Sequence, residues 1–264
     1  MTTVAAGLTL RECAERLDVH YMTVYRYVRL GMLPASKVGS RWQVDPVDLE
    51  SFRTSGAAGT GSGPAPWSER LMCRLIDGDA AGAWRVVEAA MAAGLAPPEI
   101  HLGVIGPALG AVGSGWAGGE VSVAQEHAAT AAATRIVGRL GSRFVPRGRR
   151  RGKVLIGTPA GERHGLAVAM AADLLRSRRY DVIDLGCDLP ADDFLMAVAT
   201  AEPVSVVAVS ITSTQCLPAA WKLISRLRSV TAAPILAGGR AVGDGVLDLG
   251  ADRLIPDGEG LLSL

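Results

Sequence analysis

At 264 residues the chain exceeds the roughly 100–200 residues of a usual domain, so two or three domains are expected. Its composition, 49% hydrophobic but only 5% aromatic with 32 Gly and 14 Pro, suits helices and buried parallel strands better than a β-sandwich. The formal charge of +1, from 27 basic and 26 acidic residues, excludes a polyelectrolyte tail protein, and the predominance of Arg among the bases says nothing by itself about nucleic acid.

The chain opens with a helix signature. Thr9 and Glu12 form a T-x-x-E capping box ahead of apolar Cys13, Ala14 and Leu17. A turn at Asp18-Val19 leads to a second helix from about His20 to Leu30, stopped by Gly31 and Pro34. Residues 37–44, KVGSRWQV, read as two short strands about a Gly-Ser turn, and Pro46 to Phe52 as a closing helix. Between Val19 and Val44 lie Arg26, Arg29, Lys37 and Arg41 and no acidic residue, so positive charge gathers where a helix and a wing would meet phosphates. Val24, Tyr27, Val28 and Trp42 are expected to form the small core. The order TVYRYVRLGMLPASKVGSRWQV resembles the excisionase-like, MerR-related winged helix–turn–helix family. That resemblance implies that His20, Tyr21, Thr23 and Arg26 face the major groove of operator DNA, with Lys37 and Arg41 flanking the wing.

Residues 54–66, TSGAAGTGSGPAP, read as a flexible linker that stiffens at its prolines. Helices are then predicted near 67–77, 79–93, 97–115 and 120–143, and their short connections imply an antiparallel four-helix bundle. Trp116, in the stretch Gly115-Trp116-Ala117-Gly118-Gly119, precedes Glu126 of the Glu126-His127 pair by ten positions. A lone Trp or His in a bundle is more often core than ligand site, unless something large and aromatic has to be capped. A second seam at 146–153, PRGRRRGK, is read as a solvated hinge, with a phosphate-binding strip as the alternative.

From 153 onward strands alternate with helices. Strands are predicted at Val154–Gly157, Asp181–Leu185, Val204–Ser210, Pro234–Ala237 and Arg253–Ile255, with helices near 165–178, 190–201 and 217–229. This is the pattern of a doubly wound parallel sheet, whose ligands bind at the carboxyl ends of the strands. No GxGxxG follows the first strand; the loop reads Thr158-Pro-Ala-Gly-Glu162-Arg-His164. An acid/base role and a metal-ligand role are both open for His164, with Glu162 able to orient the imidazole through its other nitrogen. Ser210-Ile-Thr212 and Gly238-Gly239 close the next two strands, and the glycines leave room for a ligand beside the backbone. The fold class expected is thus multidomain α and α/β: winged helix–turn–helix (1–53), linker (54–66), four-helix bundle (67–146) and flavodoxin-like sheet domain (147–264).

Cys13, Cys73, Cys187 and Cys216 lack CxxC spacing and read as small buried hydrophobes in a reducing compartment. No secretory pattern opens the chain, and the uncharged run 102–119 carries seven Gly and one Pro, a poor membrane helix. A soluble cytoplasmic protein without a membrane partner is expected.

The E-x-H loop, S-x-T segment and Gly-Gly pair together resemble the cobalamin-binding fold. The resemblance implies that His164 is the lower cobalt ligand with Glu162 beside it, and that Ser210, Thr212, Gly238 and Gly239 border the nucleotide tail. Where that family has E-x-H-x-x-G, this chain has Ala167. Trp116, Glu126 and His127 match the W-x9-EH motif of the CarH/LitR photoreceptor repressors, and the order of modules matches as well. This implies adenosylcobalamin as cofactor, those three residues at its upper adenosyl group, a dark-state homo-oligomer such as a tetramer, and release from DNA in light. A known member of that family has a His directly after the Trp; here the position is Ala117, leaving His101 and His127 as candidates for a second imidazole. A non-enzymatic regulator is expected, with a light-independent cobalamin sensor and a corrinoid methyl-transfer protein as the alternatives.

Overall fold

The computed structural model describes residues 7–19, 21–29, 33–39, 41–54, 67–144, 148–201, 203–243 and 249–264. His20 and most of the expected linker lie outside the described residues. Two compact units form: Met1–Val87 with Pro107–Ala129, and Glu88–Gly106 with Thr130–Leu264. The helical stretch expected as one bundle therefore contributes to both.

The first unit begins with β1 (Leu8–Thr9), α1 (Leu10–Leu17), α2 (Tyr21–Arg29), β2 (Ser36–Val38), β3 (Arg41–Val44) and α3 (Pro46–Thr54). The capping box forms as its spacing implies: Thr9 N–H donates to Glu12 Oε2 at 2.7 Å and Glu12 N–H to Thr9 Oγ1 at 3.3 Å. Asp18 ends α1 in the left-handed region, φ +50°. β2 and β3 pair antiparallel with Lys37 opposite Trp42, and β1 adds to the free side of β3 with Leu8 opposite Val44. Leu10, Cys13, Val24, Tyr27, Val28, Leu33, Val44 and Phe52 are buried, and the Tyr27 and Phe52 rings lie 4.7 Å apart. Trp42, expected in that core, is only partly buried.

The following helices are α4 (Trp67–Ile76), α5 (Ala80–Ala92), α6 (Pro97–Ile100), α7 (Gly106–Ala117) and α8 (Val123–Gly141). Between α6 and α7 the chain makes a π turn over His101–Ile105, closed by Gly106 N–H donating to the His101 carbonyl. Pro107 explains it. Proline has no N–H for the Gly103 carbonyl and its ring would collide with that carbonyl in a regular helix, and one wider turn relieves the conflict. The run Pro97–Ala117 has the length and hydropathy of a membrane span. This turn interrupts it, however, and Ile100, His101, Val104 and Ile105 are buried.

In the second unit β4 (Lys153–Gly157), α9 (Gly165–Ser177), β5 (Asp181–Asp184), α10 (Ala191–Ala201), β6 (Val206–Ser210), α11 (Leu217–Leu227), β7 (Ile235–Gly238), β8 (Arg253–Ile255) and α12 (Gly258–Leu262) alternate. The sheet order is β5-β4-β6-β7-β8, and every pair is parallel. Both faces are covered, so β4 and β6 read as continuous apolar runs. Val207, Val209, Ile235 and Ala237 pack with α10 and α11 on one face, and Val154, Ile156, Ala208 and Leu236 with α9 and α12 on the other. All four cysteines are free; Cys13 and Cys216 are buried as expected, but Cys187 is exposed.

Candidate functional site

The strand order reverses between β4 and β6, and the loops leaving their carboxyl ends flank that switch point, where doubly wound sheets receive ligands. The loop after β4 is fixed from below. Thr158, fully buried, donates to the Glu162 carbonyl at 2.8 Å and accepts the Asp188 N–H at 2.9 Å. Gly161, at φ +86°, donates its N–H to Asp188 Oδ1 at 2.7 Å.

This frame points the Glu162 side chain inward, where it is fully buried. Its Oε2 accepts the N–H groups of Thr212 and Ser213, each at 2.8 Å, from the loop after β6. Its Oε1 accepts His164 N–H at 3.1 Å and lies 2.5 Å from His164 Nδ1. Burial opposes ionisation of Glu162, but the Ser213, His164 and Thr212 donors outweigh it and hold the carboxyl below its usual range. A carboxylate acceptor places the imidazole proton on Nδ1. The free lone pair is then on Nε2, of a side chain 55% exposed at the start of α9. The reading of Glu162 as the residue that orients His164 thus has its geometry. The anchoring of Glu162 by two backbone N–H groups has no side-chain signal in the sequence.

Ser210 is buried and Thr212 half-buried; Thr212 engages Glu162 through its backbone. The glycine pair corrects an expectation. A side chain at Gly238 would meet the Ile255 carbonyl at 2.7 Å, and one at Gly239, φ +112°, would collide with the Ile211 carbonyl. The space left by these glycines is taken by the chain's own backbone, because β6, β7 and β8 approach closely at their carboxyl ends. Ala167 lies in the first turn of α9, half-buried, its N–H donating to the His164 carbonyl at 3.2 Å.

His101 departs from its expected availability as a cobalt ligand. It is fully buried, with Nε2 3.1 Å from Asp173 Oδ2, while Asp173 Oδ1 accepts from Arg176 at 2.9 Å and the ring stacks on Phe144. His127, by contrast, is exposed, with Nδ1 3.1 Å from Glu126 Oε2. Trp116, at the end of α7, is 52% exposed, unlike a core tryptophan. Trp116, Glu126 and His127 belong to the first unit, while His101, Glu162, His164, Ser210, Thr212, Gly238 and Gly239 belong to the second.

The residues expected at DNA have mixed placements. Lys37 and Arg41 are exposed on the wing, with Lys37 Nζ 5.5 Å from the Trp42 ring centroid. Thr23 is half-buried on α2; Arg26 is on the same helix, its side chain outside the described part, as is all of His20. Tyr21 differs from an outward-facing residue. With Tyr25, Lys37 and Trp42 it lines a cleft of about 340 Å³ whose other wall is Pro107, Gly110, Ala111, Ser114, Gly115, Glu120 and Val121. Its hydroxyl is buried beside the Glu120 carboxylate, and burial first, then the hydrogen bond to that carboxylate, push the phenol far up. A Cβ at Gly110 would meet nothing within 4 Å, whereas one at Gly115 would press on the Val121 side chain at 2.8 Å.

Three family models match the sequence: a helix-turn-helix domain over residues 8–57 and B12 binding domains over 67–140 and 152–263. No curated protein matches it. The structure is similar to that of the monomethylamine corrinoid protein of Methanosarcina barkeri, with 18% identity, a TM-score of 0.65, and 75% of this chain and 95% of that one covered. That likeness concerns the fold. A chain of the methanol:cobalamin methyltransferase complex of Methanosarcina barkeri (19% identity, 76% and 83% covered) has a TM-score of 0.36. A cobalamin-binding protein of Desulfitobacterium hafniense (20%, 73% and 94%) has 0.39, and neither value carries a structural argument. The family matches support cobalamin as cofactor, and the donor set fits it. Among the described residues no cluster of three His, Cys, Asp or Glu could hold a metal, so a metal at His164 would have to bring further ligands, as a corrin ring does.

Proposed function

We propose that this protein is a transcriptional regulator that binds adenosylcobalamin and operator DNA, represses in the dark, and lets go of DNA when light acts on the cofactor. The observation that carries this reading is the union, in one chain, of a helix-turn-helix match with two B12 binding matches and an imidazole held ready by a buried carboxylate. His164 would take cobalt through Nε2, and Ser210 and Thr212 would border the nucleotide tail. Trp116, Glu126 and His127, spaced as W-x9-EH, would meet the upper adenosyl group. Bound adenosylcobalamin supplies a cobalt–carbon bond weak enough for visible light to break.

The protein's own residues do the remaining work. Glu162 fixes the imidazole tautomer and direction. Trp116 offers an exposed aromatic face whose burial is worth about 2–3 kcal/mol. Lys37 and Arg41 meet phosphates, and His20, Thr23 and Arg26 read bases. Assembly of several chains on repeated sites raises avidity without new contacts. No turnover is required of any residue, so the protein acts as a regulator and not as an enzyme.

One observation favours a second reading, a methyl-carrying corrinoid protein: the fold likeness to the monomethylamine corrinoid protein. Size-exclusion chromatography and gel shift of the adenosylcobalamin-loaded protein, dark and after green light, test the proposal. Loss of both the oligomer and the DNA complex on illumination is expected. A changed spectrum with an unchanged gel shift would indicate a light-independent cobalamin sensor, and methyl transfer to a thiol would indicate the methyl carrier.

A further inference from the structure

Two groups of arginines stand apart in the second unit. Arg163, Arg176, Arg226 and Arg228 each face a carboxylate: Asp188, Asp173, Asp192 and Asp252. Arg149, Arg150, Arg151, Arg178 and Arg179 have no ion pair among the described residues, and all five are exposed. The fold brings these five together from two separate segments. Arg151 N–H donates to the Arg179 carbonyl at 3.0 Å, and the Arg179 guanidinium lies over Gly148, 3.0 Å from where a Cβ would stand. The Arg151 guanidinium sits 5.0 Å from the Tyr180 ring centroid. The Arg179 guanidinium rests on backbone and that of Arg151 on a ring, neither on an acid, so their N–H donors stay available.

Arg179 adds a second signal. It occupies the left-handed position just past α9, φ +73°, where helices ordinarily end on glycine. A charged side chain is kept there against the backbone's preference. The single carboxylate in segments 148–153 and 176–181 is Asp181.

We propose that this arginine face is a second, sequence-independent DNA contact that binds the phosphates of a duplex while the winged helix reads sequence. Guanidinium forks match phosphate oxygens, and a duplex offers a regular row of them. Duplex DNA is the occupant because the same chain carries a helix-turn-helix match, which keeps that polyanion close; to this extent the inference rests on the proposed function. The face is distinct from the cofactor site. It lies at the amino ends of β4 and β5, and His164 follows the carboxyl end of β4, about 16 Å away along five strand residues at about 3.3 Å each.

The test is fluorescence anisotropy of the full-length, cobalamin-loaded protein in the dark with a random-sequence duplex, from 50 to 200 mM salt. The variant R149Q/R150Q/R178Q/R179Q is compared with wild type and with K37A/R41A, after cobalamin loading and circular dichroism have shown that each variant is folded. Losing about three phosphate contacts lowers the log–log salt slope by about 2.7, so the affinity lost across that salt range shrinks about 40-fold. A quadruple variant with the wild-type slope would overturn the inference. If K37A/R41A then abolishes binding, the regulator reading stands without the second contact. Wild-type protein that binds no duplex overturns both, and binding of phosphatidylglycerol vesicles in place of duplex overturns the DNA assignment.

Discussion

Glu162 holds together two loops and one imidazole with four hydrogen bonds, two to each carboxylate oxygen. Its charge is what makes this possible. An ionised carboxylate only accepts, and all four of its partners donate. Glu162→Gln keeps the shape but replaces one acceptor oxygen with an NH2 group, which must face either the Thr212 and Ser213 N–H groups or the His164 ring and N–H. Either choice leaves buried donors facing a donor, and the imidazole loses the partner that fixes its proton on Nδ1. Changes of this kind beside a metal ligand usually cost 10–100-fold in metal affinity. The expected result for Glu162→Gln is cobalamin retention weakened about tenfold or more, with a smaller imidazole-bound fraction in the absorption spectrum. His164→Ala should remove that spectral form altogether. Wild-type retention and spectrum in Glu162→Gln would show that the carboxylate does not position the ligand.

The cleft formed by α2, the wing and α7 works at the scale of whole elements. α7 carries Gly110 and Gly115 on the wall facing Tyr21 and Trp42, and Trp116 is its penultimate residue. The Tyr21 ring lines that cleft, and its buried hydroxyl faces the Glu120 carboxylate. Tyr21→Phe takes that donor from Glu120 and should lower the stability of the first unit by about 1 kcal/mol in denaturant unfolding; unchanged or raised stability would mean that the two do not pair. If Tyr21 leaves the cleft to read a base, the same change weakens operator binding. The sequence signalled some of these elements and not others. The capping box, the apolar runs of β4 and β6 and the E-x-H loop carry local patterns, so their elements were legible. β1 was not, because two residues become a strand only by pairing with β3 across more than thirty positions. The π turn did leave a trace in Pro107, inside an otherwise helical run. The His101–Asp173–Arg176 chain and the backbone anchoring of Glu162 left none, since each joins residues distant in sequence. Gly238 and Gly239 were legible as close-approach positions, but what approaches them is the chain's own backbone.

For the molecule as a whole, a cofactor can control DNA only if its state changes the free energy of the DNA-bound assembly, and the coupling must run in both directions. His164 belongs to the second unit, and Trp116, Glu126 and His127 to the first. Substitutions should therefore separate retention from response. Trp116→Ala leaves the Glu162-held imidazole untouched, so cobalamin retention should fall little, while dark assembly on size exclusion and the dark–light difference in DNA affinity should both shrink. The illuminated state depends on which imidazoles can reach cobalt. Ala117 has no donor, and His101 is fully buried against Asp173 and Phe144, which leaves His127 as the exposed candidate in the described part of the first unit. A second-imidazole signature after illumination should thus disappear in His127→Ala and persist in His101→Ala. Ala117→His, which restores a donor next to Trp116, should lengthen the life of the illuminated form. A bis-imidazole spectrum that survives His127→Ala would mean that another ligand takes the upper face and that the first unit's response to light is transmitted by a different residue.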